Sequence, residues 1–267
     1  MKLEQRALRF HCAGNALIGI VDVPERPLVR GMLILADSSQ YRAGSHRQFT
    51  LLSRLLAARG VAVMRFDRAG AGDSEGQAIG QGVEDVGAAM KEFFFHVPEM
   101  KECVILAPGD AAAAAALYAA GDTRIAGLAL LDPVLDPLLP QRGGGTGRAP
   151  ENTPVLRYGP RSAADRLFRR AAAFRQAASR AVGRGPGGEA PGQKLAPALA
   201  QALAGFGGRV LLVCGGAQAP GSDATRALVG QYPRSRRVEI AHAGADSRRS
   251  AWRDAVAFAC ASWLGSW

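Results

Sequence analysis

The stretch Arg30–Ala36, RGMLILA, is apolar without alternation, and a β-strand tolerates that pattern only where both of its faces are buried. Val61–Phe66, Cys103–Ala107, Ile125–Leu131 and Val210–Cys214 are short runs of the same kind. Segments of helical spacing lie between the first four of these runs: His46–Arg59, with Phe49, Leu52, Leu55 and Leu56 on one side, then Val83–Phe95 and Ala111–Ala120. Ahead of them, Ala7–Cys12 and Ala16–Val23 flank the turn pair Gly14-Asn15 and read as antiparallel edge strands. A helix at Asp223–Tyr232, a strand at Val238–Ile240 and a helix at Ser250–Leu264 close the series. This order specifies an α/β fold: an eight-stranded, mainly parallel sheet with helices on both faces.

Between the sixth and seventh strands lies a segment with no strand pattern. Its glycine-rich parts, Gly143–Gly147 and GRGPGGEAPG at 183–192, read as flexible, while Arg161–Val182 and Pro197–Phe206 have helical spacing. The chain therefore divides into a core, 1–134 with 209–267, and a helical, partly flexible cap inserted at 135–208. A length of 267 residues suits one large α/β domain of this kind.

Lys and Arg total 33 against 23 acidic residues, a net charge of +10. Only four of the cations are lysines, and the chain is rich in Ala, Gly and Arg, so coding bias explains the excess and no nucleic-acid partner is expected. Arg157–Arg184 alone carries eight arginines and one acid, Asp165, and so holds +7 of that charge. Any weak contact with a polyanion or an anionic membrane surface is expected there. Cys12, Cys103, Cys214 and Cys260 are too widely spaced for a C-x-x-C pair, and no glycine-rich phosphate loop is present, so neither metal nor cofactor is expected. The cysteine usage, together with an N-terminus that lacks a signal-peptide core and the lack of an 18-residue apolar window, sets the expected location as the cytoplasm.

Three local texts go further. Gln40–Phe49 (QYRAGSHRQF), Arg65–Asp67 followed by Gly70, Gly72 and Asp73-Ser-Glu-Gly76, and Arg124–Pro133 (RIAGLALLDP) resemble the exosortase A system-associated hydrolases of type one. These are bacterial α/β-hydrolases found beside exopolysaccharide and protein-sorting genes. The resemblance covers most of residues 1–135 and, more loosely, 157–182 and 210–263. It implies an ester, thioester or other acyl substrate and a nucleophile on a tight elbow between the fifth strand and the following helix.

Carried over position by position, the resemblance places the nucleophile at Gly109, with small flanks Ala107 and Ala111; the acid at Ala217; and the base at Ser247. None of the three has the side chain its role demands. Glycine has no attacking group, alanine no charge, and a serine hydroxyl does not accept a proton near neutrality. The residues available as substitutes are Asp110 beside the elbow, Asp223, and His242 just past the last strand. Asp110 reads either as a nucleophile in a shifted elbow or as a helix N-terminal acid favoured by the dipole. His242 reads as a relocated base or as a loop histidine without chemistry. Where the family carries Gly-Gly-Pro at its oxyanion loop, this chain has Asp37, Ser38 and Ser39, followed by Gln40. A carboxylate turned inward there opposes a developing oxyanion. His46, in the GSHRQF text, packs the loop or stands at the site mouth.

Three functions follow as expectations: a hydrolase with a relocated triad, a catalytically impaired member that binds an acyl or ester ligand or serves as a scaffold, and a peripheral polyanion or membrane-surface binder acting through its cap.

Overall fold

In a computed structural model of the chain, which describes residues 3–37, 40–77, 82–133, 201–214, 234–239 and 250–267, the apolar runs become the middle of an eight-stranded sheet. The strands are β1 (Leu3–Cys12), β2 (Asn15–Pro24), β3 (Arg30–Leu35), β4 (Val63–Phe66), β5 (Glu102–Pro108), β6 (Ile125–Leu131), β7 (Arg209–Cys214) and β8 (Ser235–Glu239). Their spatial order is β1-β2-β4-β3-β5-β6-β7-β8. β2 is antiparallel to both β1 and β4, and every other pairing is parallel. The hairpin is thus only half an edge: β1 is outermost, but β4 covers the other side of β2, which corrects the reading of both as edge strands.

Successive residues of the central strands feed two separate cores. Leu33, Leu35, Ile105 and Ala107 face helices α2 (Val83–His96) and α3 (Ala111–Ala119). Met32, Ile34, Val104 and Leu106 face α1 (Gln48–Ala57) and the C-terminal helix α4 (Ser250–Leu264). That division is why the runs are apolar without alternation. In α3, Ala111 to Ala116 are all buried, and their small side chains let the helix lie close against its neighbours.

The described end of the insertion, 201–205, is helical and sends Ala202 and Leu203 into the first core. All described residues belong to one unit, Met1–Gln141 with Lys194–Trp267, and Arg142–Gln193 forms a second. The cap helix at Arg161–Val182, the glycine-rich segments and the helix at Asp223–Tyr232 lie outside the described residues. Among the described residues no helix is long and apolar enough to cross a membrane, and no group of side chains could hold a metal ion.

One polar cluster ties the stability of this core to pH. After α3, the Asp122 carboxylate accepts bonds from Arg124 Nη2 at 2.6 Å, Arg124 Nε at 2.9 Å, the Arg124 backbone N–H at 3.0 Å and the Tyr118 hydroxyl at 2.5 Å. The Arg124 guanidinium, aided by the hydroxyl, holds its pKa down at about 2 instead of the ordinary 3.8. A depressed carboxylate stabilises the fold above its unfolded pKa and loses that contribution as pH falls through its folded one. Asp122→Asn is expected to flatten the decline of stability between about pH 4 and about pH 2, read by urea unfolding at each pH.

Candidate functional site

In an open α/β sheet, ligands bind at the C-terminal ends of the parallel strands. Here a tight turn at that end follows β5. Gly109 takes φ 53, in the left-handed region, and its N–H donates to the Leu131 carbonyl at the end of β6, 3.0 Å away. Asp110 has already returned to φ −73 and occupies the N-cap position of α3, making no side-chain capping bond. The left-handed residue of the elbow is therefore Gly109, and its flanks Ala107 and Ala111 are fully buried methyls. Among the described residues, a Cβ placed on Gly109 meets Asp37 alone within 4 Å, 3.8 Å from its Cβ and 4.0 Å from its Oδ2.

Asp37 stands at the end of β3 and is fixed from behind. Gln40 Nε2 donates to Asp37 Oδ2 at 2.7 Å, and the Gln40 N–H donates to the Asp37 carbonyl at 3.1 Å. Gln40 Oε1 in turn accepts from the Ser45 N–H at 3.0 Å and from Gln48 Nε2 at 2.9 Å, which ties the loop to the first turn of α1. The loop reaches α1 through left-handed backbone at Gly44 (φ 70), His46 (φ 50) and Arg47 (φ 61). Because helical conformation starts only after Arg47, α1 begins at Gln48 and not at His46. His46 is exposed, and the Ala43 carbonyl, not His46, accepts the N–H groups of Phe49 and Thr50, at 3.0 and 3.4 Å.

The turn after β4 packs beside this loop and is organised by Asp67, a carboxylate only 1% exposed. It accepts from the Arg42 N–H at 2.6 Å and the Asp73 N–H at 3.0 Å, and it pairs with the Arg42 guanidinium. Arg42 Nη2 also reaches Asp73 Oδ2 at 2.7 Å. Ser74 Oγ donates to the Asp67 carbonyl at 2.7 Å and accepts from the Ile18 N–H at 2.9 Å, so its hydroxyl closes the turn onto β2. Three of the four thiols, Cys12, Cys103 and Cys260, offer no substitute nucleophile near neutrality. Burial pushes Cys103 and Cys260 up to about 12, and burial aided by Asp85 pushes Cys12 up to about 11.

Of the residues singled out in the sequence, the structure brings Asp37, Gln40 and Gly109 together, with Asp110 next in the chain. Ser38, Ser39, Ala217, Asp223, His242 and Ser247 lie outside the described residues. Two features went unread. Asp132 follows β6 with φ 41, its N–H bonded to the Val213 carbonyl at 2.9 Å, and so brings an exposed carboxylate to the strand end beside the elbow. Its one signal was the Asp-Pro that stops an apolar run. The Arg42–Asp67 pair had no signal beyond each partner's place in its own motif.

A sheet of this order, with an elbow after β5 and an insertion after β6, is the α/β-hydrolase fold. Solved structures share it over nearly their whole length. The esterase Pf2001 of Pyrococcus furiosus has 13% identity, 99% of this chain and 93% of that one covered, and a TM-score of 0.66. Est1E from Butyrivibrio proteoclasticus, with ferulic acid bound, has 18% identity, coverage of 97% and 100%, and a TM-score of 0.64. The dienelactone hydrolase of Anabaena variabilis has 13% identity, coverage of 100% and 99%, and a TM-score of 0.64. At these identities the likeness is one of fold. No family model matches the sequence, and no curated protein matches it.

Proposed function

We propose that this protein is an α/β-hydrolase-superfamily member resembling the exosortase A system-associated hydrolases, in which acyl-transfer chemistry is impaired and the cleft at the elbow binds a small acyl or ester ligand. The reading carries with it the cytoplasmic setting and the link to exopolysaccharide and protein-sorting systems that the resemblance implies. Any contact with an anionic surface falls to the Arg157–Arg184 segment.

The observation that supports the reading best is the pairing of Gly109 with Asp37. The elbow keeps its left-handed turn, and among the described residues Asp37 alone comes near a Cβ placed there, yet the residue has no side chain. Facing it is a carboxylate where an acyl-transfer enzyme aims donors. Two like charges 4 Å apart repel by about 4 kcal/mol at an effective dielectric constant of about 20. Loss of one oxyanion donor typically costs a further ~3 kcal/mol or more in the barrier. Together these erase most of what such a site contributes, even before the missing nucleophile is counted.

The solved esterases of this fold make ester turnover the direct test. A panel of p-nitrophenyl esters and thioesters of increasing acyl length is expected to be hydrolysed at the background rate, with His242→Ala and Asp110→Asn no different from the parent. Robust turnover that His242→Ala abolishes overturns the proposal in favour of a relocated triad.

A further inference from the structure

The outermost strand, β1, is 10 residues long and pairs with β2 from Leu3 to Cys12 without a shift of register. Natural sheets blunt such an edge by keeping it short, bulging it or placing proline or lysine on it. β1 has none of these devices. At the opposite edge β8 has only 5 residues and carries Arg236 and Arg237.

The hairpin turn fixes which backbone groups of β1 face outward. Cys12 and Asn15 flank Ala13 and Gly14, which take φ 48 and φ 85, and the residues flanking such a two-residue loop exchange both hydrogen bonds. Alternation from Cys12 then turns the N–H and C=O groups of Leu3, Gln5, Ala7, Arg9 and His11 away from β2. β2 agrees. Ala16 and Ile18, opposite His11 and Arg9, donate their N–H groups not to β1 but to Glu75 Oε2 at 3.1 Å and Ser74 Oγ at 2.9 Å. All five residues of the outward row are exposed, and among the described residues nothing bonds to their outward backbone groups.

Symmetry and charge select a second copy of this chain as the strand that fits there. The row from Leu3 to His11 is centred on Ala7, so antiparallel pairing with itself uses every outward residue and sets only Ala7 opposite itself. A two-fold axis there brings methyl against methyl, whereas an axis at Arg6 or Arg9 would oppose like charges. The edge is also balanced in charge: Glu4 accepts from Arg6 at 2.8 and 2.9 Å, and Glu75 lies 3.5 Å from Arg9. Two copies therefore approach without net repulsion, and no excess of either sign recruits a strongly acidic or basic strand instead.

We propose that the protein forms a two-fold dimer through β1, with Leu3 opposite His11, Gln5 opposite Arg9 and Ala7 opposite Ala7. About ten backbone hydrogen bonds join the two sheets into one.

Sedimentation equilibrium of the full chain, with cysteine cross-linking, tests it. The parent is expected to sediment at twice its chain mass of 27.9 kDa. In a Cys12→Ser background, Ala7→Cys should give a disulfide-linked dimer under mild oxidation, because the Cα atoms of a hydrogen-bonded pair stand about 5.5 Å apart. Gln5→Cys, which meets a different residue of the second copy, should not. Ala7→Pro removes the two central bonds and none to β2, and should raise the dissociation constant at least about tenfold. Ala7→Glu sets like charges face to face, should weaken the dimer too, and decides the matter if the proline variant does not fold. A monomeric parent overturns the proposal, whether or not a strand of another protein occupies the edge. So does a dimer that Ala7→Glu leaves intact, or cross-linking as strong at Gln5→Cys as at Ala7→Cys.

Discussion

Asp67→Ala is expected to lower the unfolding free energy by about 3–5 kcal/mol, the range found when one partner of a buried ion pair is removed. The carboxylate is buried and meets three groups at once: the Arg42 guanidinium, the Arg42 N–H and the Asp73 N–H. An alanine leaves the two N–H groups without their acceptor and the Arg42 guanidinium with Asp73 alone. The loss is not only one of stability. Arg42 lies two residues past Gln40, which fixes Asp37, so the turn after β4 and the loop after β3 hold each other through this carboxylate. The site wall should loosen with it. Urea unfolding of Asp67→Ala, Arg42→Ala and the double variant checks this: the two losses should be strongly non-additive. A loss under about 1 kcal/mol in Asp67→Ala contradicts the assignment.

Trp263→Ala should have an effect of similar size, about 3–5 kcal/mol, from burial lost and a cavity left. The indole is 3% exposed and lies on Gly127 of β6, where an added Cβ would come within 2.7 Å of the ring. It also packs edge-on to Trp267 with ring centroids 5.4 Å apart, while Arg30 stacks on Trp267 at 3.7 Å and donates to the Leu264 and Trp267 carbonyls at 3.0 and 2.9 Å. This cluster pins α4 to the sheet. Gly127→Ala should be destabilising in the parent and much less so in the Trp263→Ala background, because the ring that excludes the methyl is then gone. Equal effects of Gly127→Ala in the two backgrounds, again by urea unfolding, would argue against that contact.

The residues that made the sheet legible are those whose environment is the same on both sides. β3, β5 and β6 are sandwiched between helices, so their sequences had to be apolar throughout, and the unbroken apolar runs placed them. β1 was harder. Glu4, Gln5 and Arg6 are charged or polar and largely exposed, and they are held as strand by pairing with Asp22, Val21 and Val23, which no local pattern announces. The start of α1 shifted from His46 to Gln48 for a comparable reason: the positive φ of His46 and Arg47 costs energy that only the surrounding loop repays. At the site, the glycine in the nucleophile slot could be read from the elbow text, because small flanks and a strand-to-helix turn are local. Its opposition to Asp37 could be read only as a conditional, since the two residues sit at the ends of adjacent strands far apart in the chain, and direction belongs to tertiary structure.

If, as proposed, the elbow of this α/β-hydrolase fold performs no covalent acyl chemistry, a fluorophosphonate or β-lactone probe has nothing there to modify. Incubation of such a probe with the full chain, followed by intact-mass measurement, is expected to leave the parent at its unmodified mass after prolonged exposure at probe concentrations that fully label an esterase of the fold. A stoichiometric adduct that maps by peptide sequencing to a residue of the elbow, or to a nucleophile in the loops around it, and that disappears in His242→Ala, would contradict it.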